Sequence, residues 1–323
     1  MSNSNQLEMM ERIALDLEGV ERALASSFNT GSEDFNTLIS PLSEAGGKRL
    51  RAQLCLLIAN AGTSVEEERI KIAEAVEMLH LATLIHDDVL DQAEIRRGEE
   101  TIHKHKGNKV AILSGDYLFA KAFRIVSEMP HMEYLKIFSH IITCLVEGEF
   151  MQMEDVYRID QGIDRYMTKT QKKTADFMEG CMELGGLLGG WSSDEIMYLK
   201  RYGHALGMAF QITDDIMDYR ETSDTTGKPV GNDLREGLLT YPLLSIVNES
   251  NQNQLLQDIK NLNHGGNEQE IIDYVIAQGG IDNTLRVAQQ YCDDALSALQ
   301  SIRDFDGKEF LVLAVQNLAD RKV

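Results

Sequence analysis

Two stretches of the chain carry aspartates in the same pattern inside apolar surroundings. Glu77 to Gly98 reads EMLHLATLIHDDVLDQAEIRRG and holds His80, His86, Asp87, Asp88 and Asp91 before ending in Arg96 and Arg97. Phe210 to Tyr219 reads FQITDDIMDY and repeats the spacing at Asp214, Asp215 and Asp218. In each, the outer aspartates stand four residues apart and so share one helix face. His80, two turns before Asp87, lies on that same face. Carboxylates on a mostly buried helix cost too much unless a cation meets them. Their hard oxygens suit magnesium, which takes one or two protein carboxylates and completes its octahedron with water and phosphate. One DDxxD could be a solvated acidic face. Two of them, far apart in sequence and each in an apolar helix, read instead as two walls of one metal-lined cavity.

Metal-bound phosphate needs basic partners, and they are present in a chain of formal net charge −21. EAGGKRLRAQLCLLIANAG places Gly46 and Gly47 ahead of a helix opening near Lys48. Exposed amides at a helix start favour an anion, and Lys48 and Arg51, three residues apart, can grip one phosphate together.

The elements that would position these residues are helices. Leu79, Leu81, Ala82, Leu84, Ile85, Val89 and Leu90 are dense enough for a helix buried on most sides. Ser64 with Glu67 spells a capping box for its start. An amphipathic helix is expected over 5–28, followed by a loop with a short helical piece ending at Pro41. Further helices are expected from Lys48 to Gly62, through VAILSGDYLFAKAFRIV up to Pro130, over 132–157 and from Tyr166 to Trp191. The next runs from Ser193, as N-cap, to Tyr219. Residues 98–108 read as a polar loop, and TSDTTGKPVGNDLREGLLTYP as a long loop in which Asp233 opens an acidic turn. GGLLGGW, at 185–191, offers a small-residue surface for close helix packing. Only four prolines interrupt 323 residues, and no alternating β-branched run or solenoid repeat is visible. The expectation is all-α, one domain over 1–323.

The acidic balance argues against nucleic-acid binding. Cys55, Cys144, Cys181 and Cys292 are widely spaced, never CxxC, and read as reduced core residues. The polar, acidic N-terminus is no signal peptide, and no stretch approaches the roughly 20 apolar residues of a membrane span. A soluble, cytoplasmic protein is expected.

GGKRLR at 46–51, LIHDDVLDQAEIRRG at 84–98, GD at 115–116, KTA at 173–175 and FQITDDIMD at 210–218 followed by GKPVGND occur in an order that covers nearly the whole chain. Together they make the sequence similar to the trans-isoprenyl diphosphate synthases, the polyprenyl synthase family. The resemblance implies a helical bundle with a deep central cavity, dimerisation, and magnesium, three ions per site. By position, Asp87 and Asp91 would ligate magnesium on an allylic diphosphate; Asp214 and Asp218, supported by Asp215, would hold another. Lys48, Arg51, His80 and Arg97 match positions that bind isopentenyl diphosphate. Arg96, Lys173, Thr174, Gln211 and Lys228 match those that hold the allylic diphosphate. The implied reaction is condensation of the two into an all-trans polyprenyl diphosphate, of the kind used for quinone side chains such as that of menaquinone.

Leu238 in EGLLTYP stands where family members often carry lysine. Among relatives, this leans toward the catalytic subunit of a two-component enzyme with a small regulatory partner; a homodimer is the other expectation. In this family a bulky aromatic one turn before the first motif stops growth early. The small Ala82 and Thr83 therefore favour a long product, hexaprenyl to octaprenyl, from a farnesyl or geranylgeranyl primer, with Phe119, Phe123 and Met153 as later limits. Alternatives are a short-chain synthase, a class I terpene cyclase, and a di-iron carboxylate bundle. The cyclase has no use for Lys48, Arg51 or a second DDIMD. The di-iron reading needs two helical ExxH pairs; Glu77 with His80 supplies one, and Pro130 breaks the other.

Overall fold

The computed structural model describes residues 3–29, 32–44, 49–96, 98–220 and 231–319. The described residues are helical almost throughout, and among them the only strands are β1 (Ile95–Arg96) and β2 (Glu99–Glu100), one short antiparallel pair. The described residues fall into two compact units: Met1–Ser139 with Gly180–Met197 and Asp304–Gly307, and His140–Glu179 with Tyr198–Arg303 and Lys308–Val323.

The first unit is built round α4 (Glu66–Leu90), which packs against α1 (Asn3–Ser27), α3 (Leu50–Asn60) and α6 (Asn108–Ser127). Ile72, Ala73, Val76, Met78, Leu79, Leu81, Ala82 and Ile85 are all buried, as a helix enclosed on most sides requires. At about 1.5–3 kcal/mol for each large side chain, that burial outweighs any single polar contact in this unit. The helix has no side-chain cap: its N-cap is Val65, Ser64 instead donates to Ala59 O at 2.6 Å, and Glu67 pairs with Lys71 at 2.7 Å. The capping box read from the sequence is therefore absent, because both of its side chains are engaged elsewhere. The short helical piece expected within a loop ending at Pro41 is a longer helix, α2 (Glu33–Glu44), with Ser32 Oγ accepting from Phe35 N at its start. The expected polar loop after Gly98 is instead β2 followed by α5 (Ile102–Lys106).

The small-residue run does pack closely. A Cβ on Gly185 would stand 2.6 Å from Cys55 O, and Trp191 donates to Ile58 O at 2.9 Å. Just after it, Ser192 caps the following helix, exchanging bonds with Glu195 at 3.3 and 2.8 Å. The cap thus lies one residue earlier than Ser193.

The second unit contains most of α7 (Met132–Glu154), α8 (Ile163–Thr170), a π-helical turn at Gln171–Ala175, the first turn of α9 (Asp176–Leu188) and most of α10 (Ser193–Arg220). Then come α11 (Asn232–Glu236), α12 (Tyr241–Leu244), α13 (Gln252–Asn261), α14 (Glu268–Ala277), α15 (Gly280–Gln300) and α16 (Lys308–Ala319). From α10, Met208, Ile212, Ile216 and Tyr219 enter a core shared with Tyr166, Leu234, Leu239, Tyr241 and Leu243. Their spacing leaves Asp214 and Asp218 outside that stripe.

Among the described residues, no helix is long and apolar enough to cross a membrane. All four cysteines are buried and free.

Candidate active site

In the first unit the aspartates occupy the C-terminal end of α4. Asp87 is half-buried, Asp88 is buried, and Asp91 is exposed and donates its backbone N–H to Asp87 O at 2.8 Å. A helix C-terminus carries about half a negative charge, so three carboxylates there raise the local energy rather than lower it. Asp88 meets Arg96 Nε at 2.6 Å. Arg96, expected as a diphosphate ligand, therefore orders the hairpin against the motif. Gln92, with φ 51, turns the chain sharply beyond the helix.

Two turns upstream, Arg51 Nη1 lies 3.4 Å from His80 Nε2. Burial draws the Arg51 pKa down, and charge from Cys181, Glu77 and Asp87 opposes it. Arg49, in the same basic cluster, does something else. It adopts φ 43, in the left-handed region, and its guanidinium meets Glu21 at 2.8 Å and Glu77 at 3.3 Å. Glu77 also accepts Ala52 N at 3.2 Å. A buried carboxylate thus anchors the start of α3 and sets the position of Arg51. That engagement withdraws Glu77 from the ExxH pair a di-iron site would need.

His86 makes the GD pair intelligible. Its ring packs on Phe119 with centroids 5.5 Å apart, and Nε2 is 3.1 Å from Ile112 O and 3.6 Å from Asp116. A Cβ on Gly115 would stand 2.2 Å from that nitrogen, so any side chain at 115 would displace the His86 ring. Ala82 is fully buried, whereas Thr83 is half-buried with its hydroxyl donating to His80 O at 2.8 Å.

In the second unit the pattern recurs at the end of α10. Asp215 accepts from Tyr166 Oη at 2.5 Å and Gln211 Nε2 at 3.0 Å, and Thr174 Oγ1 donates to Gln211 Oε1 at 2.9 Å. Asp218 receives the backbone N–H groups of Asn232 and Asp233 at 3.0 and 3.2 Å, and so caps α11. Burial pushes Asp215 and Asp218 up to about 6, against the pull of these hydrogen bonds. Asp233, half-buried, is pushed up to about 8 by desolvation and by the charges of Asp218 and Asp215. Asp214 is exposed. Carboxylates held this close, at another helix C-terminus, favour a proton or a cation.

Lys173 projects from the π turn and donates to Gln152 at 2.9 Å and Glu149 at 2.5 Å. Two glycines let α7 and α10 close on that turn: a Cβ at Gly148 would meet Lys173 Cγ at 2.8 Å, and one at Gly207 would meet Ala175 Cα at 2.6 Å. Sequence reasoning passed over Lys169, which is buried with its pKa drawn down by burial and held up by Asp155 and Asp215. Its Nζ lies 6.0 Å from the Tyr166 ring centroid. The signal was the four-residue step from Lys169 to Lys173, which puts both ammoniums near one another only if the intervening turn is helical.

Asp87 and Asp91 are thus together in one unit with Arg51, His80, Arg96, Ala82 and Thr83. Asp214, Asp215, Asp218, Gln211, Thr174 and Lys173 are together in the other. Lys48, Arg97 and Lys228 lie outside the described residues.

Such paired aspartate clusters on an all-α scaffold define a class of metal-dependent prenyltransferases, and comparison with known proteins is in accord. Residues 32–278 match the profile of the polyprenyl synthetase family. The octaprenyl diphosphate synthase of Escherichia coli K12 is 32% identical over 312 residues, 95% of this chain and 96% of that one. Component 2 of the heptaprenyl diphosphate synthase of Geobacillus stearothermophilus is 32% identical over 287 residues, covering 89% and 90%. The crystal structure of a polyprenyl synthase from Caulobacter crescentus CB15, complexed with calcium and isoprenyl diphosphate, is 30% identical. It superposes with a TM-score of 0.88 over 100% of this chain and 98% of that one. The chain belongs to the polyprenyl synthetase family and is a prenyltransferase of the trans-polyprenyl diphosphate synthase type.

Proposed function

We propose that this chain condenses isopentenyl diphosphate with a farnesyl or geranylgeranyl primer to give an all-trans polyprenyl diphosphate of hexaprenyl to octaprenyl length. In this reading magnesium, three ions in all, is held by Asp87 and Asp91 and by Asp214 and Asp218, with Asp215 in support. The observation that carries it is the placement of both clusters at helix C-termini. There the backbone dipole and the mutual repulsion of the carboxylates favour an added cation. Hard oxygens in this arrangement suit magnesium better than a softer ion.

Bound magnesium supplies Lewis-acid stabilisation of charge on a departing diphosphate. The protein supplies the rest. Lys173 and Lys228 add cationic donors for the allylic diphosphate, with Arg96, Thr174 and Gln211 beside them. Lys48, Arg51, His80 and Arg97 bind isopentenyl diphosphate. The apolar flank of α4 keeps water from an allylic cation, whose capture would end elongation. Small side chains at Ala82 and Thr83 leave room for a growing tail, and the full burial of Ala82 puts the greater weight on Thr83. The named relatives, octaprenyl and heptaprenyl synthases, support a long product.

In this reading residues 1–323 form one catalytic domain that acts in the cytoplasm, as a homodimer or with a small regulatory subunit. The heptaprenyl component 2 relative supports the second arrangement, as does Leu238 in place of lysine. Val146, Phe150 and Met153 also form an exposed apolar stripe on one face of α7, suited to a partner.

The test is to incubate the purified protein alone with farnesyl diphosphate, labelled isopentenyl diphosphate and magnesium, and to size the products. Products of six to eight isoprene units are expected, from the protein alone or after adding a small subunit. Products no longer than geranylgeranyl diphosphate would overturn the chain-length reading.

A further inference from the structure

A group of side chains with metal-ligand chemistry lies in the second unit, on residues other than the aspartates of α10. His140 and Cys144 are four residues apart on α7, and Asp176 is the first residue of α9. Cys144 Sγ lies 3.7 Å from His140 Nε2 and 3.8 Å from Nδ1. One ligand atom from each of the three lies within 4.8 Å of the other two. We propose that His140, Cys144 and Asp176 form a binding site for one zinc-class divalent cation, distinct in chemistry from the aspartate clusters.

The distances fit the ion. Zinc bonds of about 2.3 Å to sulfur and about 2.0–2.1 Å to nitrogen, at a tetrahedral angle, separate the two ligand atoms by about 3.6 Å. The observed 3.7 Å matches that span, and since Sγ is almost equidistant from both ring nitrogens, binding requires the imidazole to turn one of them toward the ion. The donor set selects against magnesium, since thiolate and imidazole are soft or borderline ligands. Three protein ligands leave the fourth tetrahedral position to water. His140 is exposed, so the ion has an entry path and the ring can turn a nitrogen toward it, while Cys144 and Asp176 are buried and fixed. In the metal-free state, burial and the neighbouring Asp176 carboxylate push the Cys144 thiol up to about 12. An arriving cation reverses that balance and displaces the thiol proton to solvent.

Asp176 also lies near Glu179 and His204, a second three-residue group. That group is already neutralised, because Lys200 Nζ lies 3.5 Å and His204 Nδ1 3.6 Å from Glu179. Lys200 would repel an ion there; on the Cys144 side the nearby ammonium, Lys172, is paired with Glu147 at 2.6 Å.

An ion held by His140, Cys144 and Asp176 ties α7 to the residue that ends the π turn bearing Lys173 and Thr174. Gln171 Nε2 now donates to Asp176 Oδ1 at 3.2 Å and would yield that oxygen or share it. Occupancy should therefore stabilise this junction. The inference stands whether or not the proposed substrates are correct.

The test is a cobalt titration of the full-length protein in excess magnesium, which fills the hard oxygen sites. One equivalent of Co2+ should give a thiolate-to-metal charge-transfer band and the intense visible bands of a tetrahedral ion, and Zn2+ should abolish both and raise Tm. Cys144→Ser should lose the charge-transfer band, and His140→Ala, at an exposed position, should weaken binding by more than about tenfold. Circular dichroism confirms that each variant is folded. No charge-transfer band in the wild type, or the same band in Cys144→Ser, would overturn the site.

Discussion

Tyr166 donates its hydroxyl to Asp215 at 2.5 Å, linking α8 to the middle aspartate of α10 beneath the exposed Asp214. Without that donor the buried carboxylate keeps, among the described residues, the side-chain hydrogen bond from Gln211. Hydrogen bonds to charged groups contribute about 1.5–3 kcal/mol, so Tyr166→Phe should destabilise the fold by a similar amount. The Asp215 pKa should rise further, since the lost bond favoured the ionised form. The expected result is a folded enzyme needing several-fold more magnesium for half-maximal rate. An unchanged magnesium requirement would show that Asp215 does not support the metal.

Gly207 and Ala175 approach so closely that a Cβ on the glycine meets backbone, which cannot rotate aside as the end of a side chain can. Gly207→Ala should therefore displace the π turn that carries Lys173 and Thr174. Overpacking of this kind costs about 1–3 kcal/mol, read as a fall in Tm. Turnover should fall more steeply than stability at temperatures where the variant is fully folded. Equal kcat in variant and wild type would remove the π turn from the catalytic account.

Stability should depend on pH in a definite direction. Asp215, Asp218 and Asp233 titrate at about 6, 6 and 8 in the folded chain, above the ordinary carboxylate value of about 3.9. The folded state thus holds more protons than the unfolded one between those limits, and stability falls as pH rises through them. In EDTA, Tm should drop between about pH 5 and pH 8. Asp233→Asn should flatten the upper part of that slope, and magnesium should raise Tm most at pH 8. A wild-type Tm that rises with pH in EDTA, with the same slope in Asp233→Asn, would contradict the assignment.

Thr83 and Ala82 separate two effects that the sequence joined. Thr83 is half-buried and can accept a larger side chain, so Thr83→Phe should shift products toward shorter chains at a near-normal first-addition rate. Ala82 is fully buried among α4 neighbours, so Ala82→Phe should chiefly destabilise the fold. Product sizing by chromatography, with thermal melts on both variants, distinguishes them. An unaltered product from a folded Thr83→Phe would remove that residue from chain-length control.

Much of this was legible in the residues themselves. The apolar density around Leu79, Ala82 and Ile85 specified a buried α4, and the repeated four-residue aspartate step marked the two carboxylate clusters that stand at the ends of α4 and α10. Two kinds of feature were not legible. One is the side chain whose partner is chosen by tertiary packing: Ser64 spells a capping box yet bonds Ala59, and Glu77 looks like a metal ligand yet anchors Arg49 and the start of α3. The other is backbone shape imposed from outside. The π turn at Gln171–Ala175 depends on space left by Gly148 and Gly207, which are distant in sequence, and no local pattern in QKKTA announces it.

The central claim is that the two aspartate clusters hold the metal that prenyl transfer needs. The most direct measurement is the rate of labelled isopentenyl diphosphate incorporation onto farnesyl diphosphate by Asp87→Ala and Asp214→Ala, against wild type at saturating magnesium, with helicity followed by circular dichroism. Any required partner subunit is included in every arm. The account predicts wild-type helicity with turnover abolished in both variants; near-normal turnover in either would contradict it.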